Sequence, residues 1–541
     1  MLRRHACVTI LVLVAALAAC DHPAVVGSGA GTLLASRAQA TGEFPDNPLL
    51  AFAPADTPYA FASFKPAPLD VIRKMTAMVG PIWRRAFTRS MSRTLEAAGS
   101  DDQRRIVKDV LDALDTLDVK RFEDQGFSAR ARFAIYGLGA YPVFRVELGS
   151  GDRVFDLVQR TAERWHLPLP PPTVRAGRRY WIFEDRSLAG FVAIGPKELV
   201  MAAAPRGVID ANLATLLGEQ PAPHPMTTAQ LRALADRDGF TGQGVGFVDL
   251  VRVGALIAAA AGAAPDCLAA VAAIAKRAPR LAIGYDDITL HQLGFGMVLE
   301  LAPEALADAR GLSGSLAGLP QLLGQKPAMA IAIAGNLEHG RSVLAHVASA
   351  LGDLGQRCQV PSFVDGVAKL AAAAGHPLPP ELAGLRGGFV VLNSLKMGPH
   401  GPDPASIEGF GSLQLDHTGE LLKRAAREVP DLAIQPDGKA HALPAASPFP
   451  GHVAASDHAI GVGVGPSSAA AAIGALDGTP APAPLALLVF DYARMGDLVL
   501  ASATGPDAED MRAVIQAFGL ATIQLLVDAR GVVSWTSFEL R

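Results

Sequence analysis

Cysteine is scarce: the 541-residue chain holds four. Cys7 and Cys20 lie in the first 20 residues, so Cys267 and Cys358 are alone in the body. There is no C-x-x-C pair, which removes a thioredoxin-type centre and a zinc ribbon. Lysine is scarce too, 11 of the 48 basic residues, and a net charge of -4 supplies no basic field for nucleic acid. Charged residues make up 18%, below the roughly one quarter usual in soluble domains. No H-E-x-x-H, no G-x-S-x-G elbow and no Walker loop occurs. Beyond the N-terminus no apolar, uncharged run reaches 18 residues. Val253 to Ala264 comes nearest, and Pro265-Asp266 ends it. No later segment is therefore long enough to span a bilayer as a helix. No cofactor and no metal site is indicated.

What is present begins at residues 1–20, MLRRHACVTILVLVAALAAC. Arg3 and Arg4 form a basic start, and Val8 to Ala19 is an apolar run too short to be a permanent span. The run ends in Leu17-Ala18-Ala19-Cys20, which resembles the lipobox of bacterial lipoproteins. The resemblance implies a signal peptide over 1–19, cleavage before Cys20, diacylglycerol on its sulfur and acylation of the new amino group. An ordinary secretory signal with an incidental Cys is the alternative. Asp21 follows, and in lipoproteins of this kind an Asp there implies retention at the periplasmic face of the inner membrane rather than the outer membrane. Cleavage removes Arg3 and Arg4, so 46 basic residues stand against 52 acidic ones and the net charge becomes -6. The segment 20–44 then reads as the lipidated Cys and a Gly-, Ala- and Ser-rich tether, with a reach of roughly 25–30 Å. The expected partner is a membrane, through this anchor.

The body reads as a tandem duplication. Phe191–Pro205 aligns without gaps on His452–Pro466. Asp249-Leu-Val-Arg252-Val-Gly254 matches Asp491-Tyr-Ala-Arg494-Met-Gly496, and Pro265-Asp266 matches Pro506-Asp507. The final strands end Glu300-Leu301 and Glu539-Leu540, and the offset drifts only from 261 to 239. An ordered series of matches is far stronger than one. Strands of period-two alternation, such as 142–148, alternate with helical stretches at 68–122, 153–165, 338–354 and 418–428. The expected fold is α+β: two tandem pseudo-repeats of mostly antiparallel sheet with helices packed on it. Repeat one is expected over 45–302, a linker over 303–319 and repeat two over 320–541. Within repeat one, Ser100-Asp-Asp-Gln103 has the form of a capping box.

Pro54-Ala-Asp-Thr-Pro-Tyr59 leads straight into a strand after the tether. This opening resembles that of uncharacterised exported bacterial proteins. The resemblance covers about the first 70 residues, implies an envelope location and implies no activity.

Few side chains invite chemistry. Asp249-x-x-Arg252 and Asp491-x-x-Arg494 are equivalent, either as paired binding sites or, more simply, as helix caps where a strand hands over to a helix. Trp83, Phe87, Met91 and Leu95 form an apolar stripe, with Arg85, Arg89 and Arg93 on the opposite face. Such a helix either packs in the core with a solvated basic back or meets an anionic membrane or acidic partner. Cys267 and Cys358 form an exported even pair, expected to be a disulfide between the last helix of repeat one and the first helix of repeat two. His452 and His458, expected on one face of a strand beside Asp457, are too few for a metal. The aromatics from Tyr141 to Phe191, among them Tyr180, Trp181 and Phe183, read as core, or as the lining of an apolar pocket. Gly461-Val-Gly-Val-Gly465 fits a packed strand better than a phosphate loop.

These features point to a lipid-anchored envelope protein that binds or scaffolds a protein or glycan rather than catalysing a reaction. The alternatives are a carrier or sensor of an apolar ligand and a hydrolase without a recognisable motif.

Overall fold

The computed structural model describes residues 44–78, 80, 119–164, 169–185, 188–260, 262–319, 327–359, 361–382, 384–398, 401–403, 406–428, 434–444, 447, 449–476, 480–502 and 506–541. They form two compact units: residues 44–256 with 282–295, and residues 257–281 with 296–541. The expected boundary at 302 is thus not the boundary of the compact units, because residues 257–281 belong to the second.

The first unit opens with a 3-10 turn, Pro48–Phe52, capped by Asn47. The Asn47 amide also donates to the carbonyls of Ser63 and Phe133 at 2.7 and 3.1 Å, fastening the entry of the chain. Thr57, from the Pro-Ala-Asp-Thr-Pro opening, exchanges hydrogen bonds with the backbone of Gly137 at 2.9 Å and is buried. The strands are β1 (Tyr59–Ala62), β2 (Phe133–Leu138), β3 (Tyr141–Glu147), β4 (Thr173–Arg175), β5 (Arg178–Asp185), β6 (Leu188–Ile194), β7 (Glu198–Ala204) and β8 (Val245–Asp249). They pair antiparallel in the order β8-β1-β2-β3-β7-β6-β5-β4. Next come β9 (Arg280–Thr289) and β10 (Gln292–Glu300).

In the second unit, β11 (Gly314–Leu316) precedes β12 (Met329–Ala334), β13 (Leu385–Ser394), β14 (Met397–Gly398), β15 (Gly401–Pro402) and β16 (Glu408–Leu415). Then come β17 (Ala440–Ala442), β18 (Gly451–Ala455), β19 (Ala459–Val464), β20 (Ala481–Ala483), β21 (Ala486–Asp491), β22 (Phe518–Val527) and β23 (Gly531–Leu540). The antiparallel order is β23-β22-β21-β12-β13-β16-β19-β18-β17. The fold is α+β. From β8 to β5 and from β21 to β17 the two orders match strand for strand.

The match extends to single backbone bonds. Leu148 N donates to Lys197 O at 2.8 Å, and Leu415 N to His458 O at 2.9 Å. Gly151 N donates to Pro196 O at 2.9 Å, and Thr418 N to Asp457 O at 3.0 Å. Asp249 N reaches Pro58 O, and Asp491 N reaches Ala328 O, both at 2.8 Å.

Each unit has its own core. In the first, Phe133, Val146, Trp181, Val192 and Met201 pack with Val154 of helix Gly151–Arg164. In the second, Leu316 and Leu319 pack with Ala332, Phe389, Val391 and Leu487. The segment 303–319, expected to be a linker, is structured. Pro303 at the first helical position starts helix Pro303–Arg310, and β11 pairs with β20. Leu316 and Leu319 of this segment are fully buried in the core.

The stretch expected over 338–354 is longer: helix Leu337–Cys358 is followed by helix Pro361–Gly375. Asn336 caps the first, accepting from His339 N at 2.9 Å, and Gln359 ends it at a φ of +53°. Of the stretch expected over 68–122, residues 69–78 and Val119–Asp124 are described as helix. Trp83, Phe87, Met91, Leu95, Arg85, Arg89, Arg93 and the Ser100–Gln103 segment lie outside the described residues, as does Cys20.

Candidate functional site

The repeated Asp residues stand where strands become helices. Asp249 Oδ1 accepts from Arg252 N at 3.0 Å, ahead of helix Leu250–Ala260. Asp491 Oδ1 accepts from Ala493 N and Arg494 N at 2.9 and 3.2 Å, ahead of helix Tyr492–Ser502. Both carboxylates occupy free N–H groups of a first turn, the use that helix capping makes of them. Arg252 Nε lies 3.4 Å from Asp249 Oδ2, as the spacing of the two residues leads one to expect, while Arg252 Nη1 donates to Thr57 O at 3.4 Å and Arg494 Nη2 to Asn393 O.

Cys267 and Cys358 are bonded to each other, with Cα atoms 4.7 Å apart. The bond joins helix Pro265–Arg277 to helix Leu337–Cys358, inside the second unit.

The histidines do not converge. His452 is in β18, whereas His458 lies in the turn before β19, so the two do not share a strand face as expected. His452 Nδ1 lies 2.8 Å from Ser468 Oγ, and His458 Nδ1 lies 2.6 Å from Asp416 O. In the first unit Lys197 Nζ donates to Gly149 O at 2.6 Å from the matching position. No group of three metal-ligating side chains occurs among the described residues.

The aromatics of the first unit are packed. Trp181 is buried, stacks on Phe155 at 5.7 Å and donates from Nε1 to Pro170 O at 2.8 Å. Tyr180 lies 5.9 Å from the buried Phe191. Trp181 and Phe183 thus belong to the core cluster of this unit, and Tyr180 is half-buried.

Sequence patterning missed a buried polar cluster. Period-two alternation makes Arg145 an ordinary strand residue, yet its side chain has no solvent exposure. Arg145 Nε donates to Tyr136 Oη at 3.0 Å, Nη1 to Glu198 Oε1 at 2.6 Å, and Nη2 to the carbonyls of Thr215 and Leu216. The Phe52 ring covers the guanidinium at 4.2 Å. Glu198 Oε2 meets Arg178 Nη2 at 2.6 Å, so one carboxylate serves two arginines. Burial pushes the Tyr136 phenol above its usual range, against the pull of Arg145. Every Arg145 nitrogen has an acceptor, whereas Nη1 of Arg178 is buried without one. Ser412 fills the matching place in the second unit.

The second unit carries the more suggestive surface. Ile523, Leu488, Ile331 and Val390 are consecutive partners across β22, β21, β12 and β13. Ile333 and Leu525 lie in the next row, each opposite Ala486. These six side chains are 36–61% exposed. The opposite side of the same strands is core. There, Gly461 and Gly463 let helix Ser468–Gly474 sit directly on β19: a Cβ at either would lie 2.2 Å from a carbonyl oxygen of that helix. Val462, between the glycines, points the other way and is exposed.

The matching row in the first unit is Gly246, Phe61, Ile135 and Phe144. Phe61, Ile135 and Phe144 pack against that unit's core cluster. The position is thus packed in one unit and exposed in the other. No helix among the described residues is long and apolar enough to cross a membrane. No known family, curated protein or solved structure matches this chain.

Proposed function

We propose that the protein is a non-enzymatic binding module of the bacterial cell envelope. It is exported, anchored through acylated Cys20 at the periplasmic face of the inner membrane, and derived by tandem duplication of one α+β unit. The basic start, the short apolar run and Leu-Ala-Ala-Cys support the anchor. The shared strand order and the matching backbone bonds support the duplication.

The observation that carries the binding reading is the exposed apolar row across β22, β21, β12 and β13. An exposed contiguous apolar patch marks an interaction site in a stable protein. After duplication, one copy kept this row inside its core while the other was freed to bind. The conspicuous polar clusters serve the fold: Asp249 and Asp491 cap helices, and Glu198 holds both Arg145 and Arg178.

A photoreactive amino acid at Val390, in the full chain in intact cells, tests this. Val174, exposed on the first unit, is the control position. Adducts from position 390 well above those from 174 are expected. Equal or absent adducts at 390 would overturn the reading.

A further inference from the structure

We infer that the helix pair Leu337–Cys358 and Pro361–Gly375 is a flap, latched away from the apolar row by the Cys267–Cys358 bond, and that reduction of this bond lets the flap close over the row. Its purpose rests on the reading of the row as a binding surface: the latch decides when that surface can be reached. The two units differ in how this insert packs. The helix pair lies between β12 and β13, and residues 63–132 lie between the matching strands β1 and β2. In the first unit the described parts of the insert are packed. Val71, Ile72 and Met75 are 1–3% exposed, and Phe122 packs on the same cluster as Phe61, Ile135 and Phe144. In the second unit neither surface is packed. Helix Leu337–Cys358 buries only Ala348 and Gly355 of its 22 residues, Leu337 and Val347 are 38% and 43% exposed, and the row is exposed as well. Apolar surfaces left in water are driven together, so something must hold these two apart. The first unit contains no cysteine, whereas the second has the bond.

The placement of the bond suits a latch. Only Gly335 and Asn336 separate β12 from the first helix. In its first turn His339 Nε2 lies 2.8 Å from Asp308 O, beside the Asn336 cap, which makes this end the pivot. A helix of this length spans about 33 Å, and Cys358 is its last residue, so the bond holds the far end of the lever. The two helices move as one piece. Arg341 Nη1 donates to Ala374 O at 3.0 Å, and a Cβ on Gly352 would lie 3.6 Å from Val367 Cγ1. Cys267 is buried and Cys358 half-buried, so Cys358 Sγ is the sulfur within reach. A dithiol reductant opens the bond by exchange. Its first thiolate bonds to Cys358 Sγ and releases Cys267 as a thiolate. Its second thiolate then bonds to the first sulfur and releases Cys358. The dithiol becomes a disulfide, two electrons pass to the cysteines, and its two protons end on them.

Crosslinking in the purified full chain tests the flap. Val347→Cys with Val390→Cys is treated with a short bismaleimide, once with the native bond intact and once with Cys267→Ser and Cys358→Ser added. The 347–390 link is expected to rise at least tenfold when the latch is absent. Val347→Cys with Ile473→Cys is the control, because Ile473 is exposed on helix Ser468–Gly474, on the other side of the sheet. That pair should stay unlinked in both backgrounds. Equal 347–390 yields with and without the bond, whether high or low, overturn the flap. A 347–473 link that rises as much as the 347–390 link also overturns it, because release then unfolds the unit and the bond is only a staple. Reduction of the otherwise native chain gives a second readout. A photoreactive residue at 390 should capture residues 337–358 after dithiothreitol treatment and not before, and capture that ignores the reductant overturns the flap. None of these outcomes touches the binding surface itself, which stands or falls on the adducts formed from position 390 in cells.

Discussion

Arg145 Nη1 lies 2.6 Å from Glu198 Oε1, and the arginine side chain is sealed from solvent. Because Glu198 also holds Arg178, removing its charge strands two guanidinium groups. Breaking a buried pair by deleting one partner costs about 3–5 kcal/mol. Glu198→Gln should therefore lower the urea unfolding free energy by that amount. A loss below about 1 kcal/mol, the worth of an exposed pair, would mean that the cluster is hydrated.

Gly463 and Val462 are neighbours with opposite expectations. A Cβ at 463 would lie 2.2 Å from Ser468 O, so Gly463→Ala must push helix Ser468–Gly474 off the sheet. Overpacking of this kind costs about 1–3 kcal/mol. Val462→Ala removes exposed surface and should leave the melting temperature nearly unchanged. Thermal melts of the two variants check the difference in size.

The Cys267–Cys358 bond spans 91 residues of sequence. In the chain-entropy model a closed loop of that size stabilises by roughly 4–5 kcal/mol. Cys267→Ser with Cys358→Ser should lower the unfolding midpoint of the second unit, and alkylation of the exported wild type should find no free thiol at either position. A free thiol there would contradict the bond.

Acid should loosen the corner at Asp416. Arg386 grips both carboxylate oxygens at 2.7 Å, and this bond holds Asp416 below the usual aspartate range, with His417 and His458 adding to the pull. A depressed folded-state value means that the contribution is complete above the unfolded value, about 3.9, and fades as pH falls through the lower folded value. The pair is exposed, so its worth is about 0.2–1 kcal/mol. Asp416→Asn should cost that much at pH 7 and progressively less as the pH is lowered below about 3.9. An equal loss across that range would assign the effect to packing.

Much of the architecture was legible because it leaves periodic or repeated marks. The Asp249 and Asp491 segments announced helix starts, since a carboxylate there has a local job. The Gly461–Gly465 alternation announced a packed strand, since glycine permits close backbone approach. The linker expected over 303–319 was misread because Leu316 and Leu319 sit among glycines and serines, and only tertiary contact reveals that they are core. Arg145 was passed over for the same reason: alternation assigns a face, not what covers it. The exposed row on β12 and β13 was hidden too, because Ile331 and Val390 have the same apolar character whether packed or bare. The extent of each compact unit was not legible, because the place of residues 257–281 depends on contacts remote in sequence.

Thiol accessibility at the sheet face tests the binding account most directly. Cys267 and Cys358 are oxidised, so a cysteine introduced at Val390 reports on its own surroundings. In intact cells a membrane-impermeant maleimide, admitted through a permeabilised outer membrane, should modify Val390→Cys at a small fraction of the rate of Val174→Cys, because the face is occupied. Equal rates at the two positions would mean that the face is bare in the cell and would contradict the account.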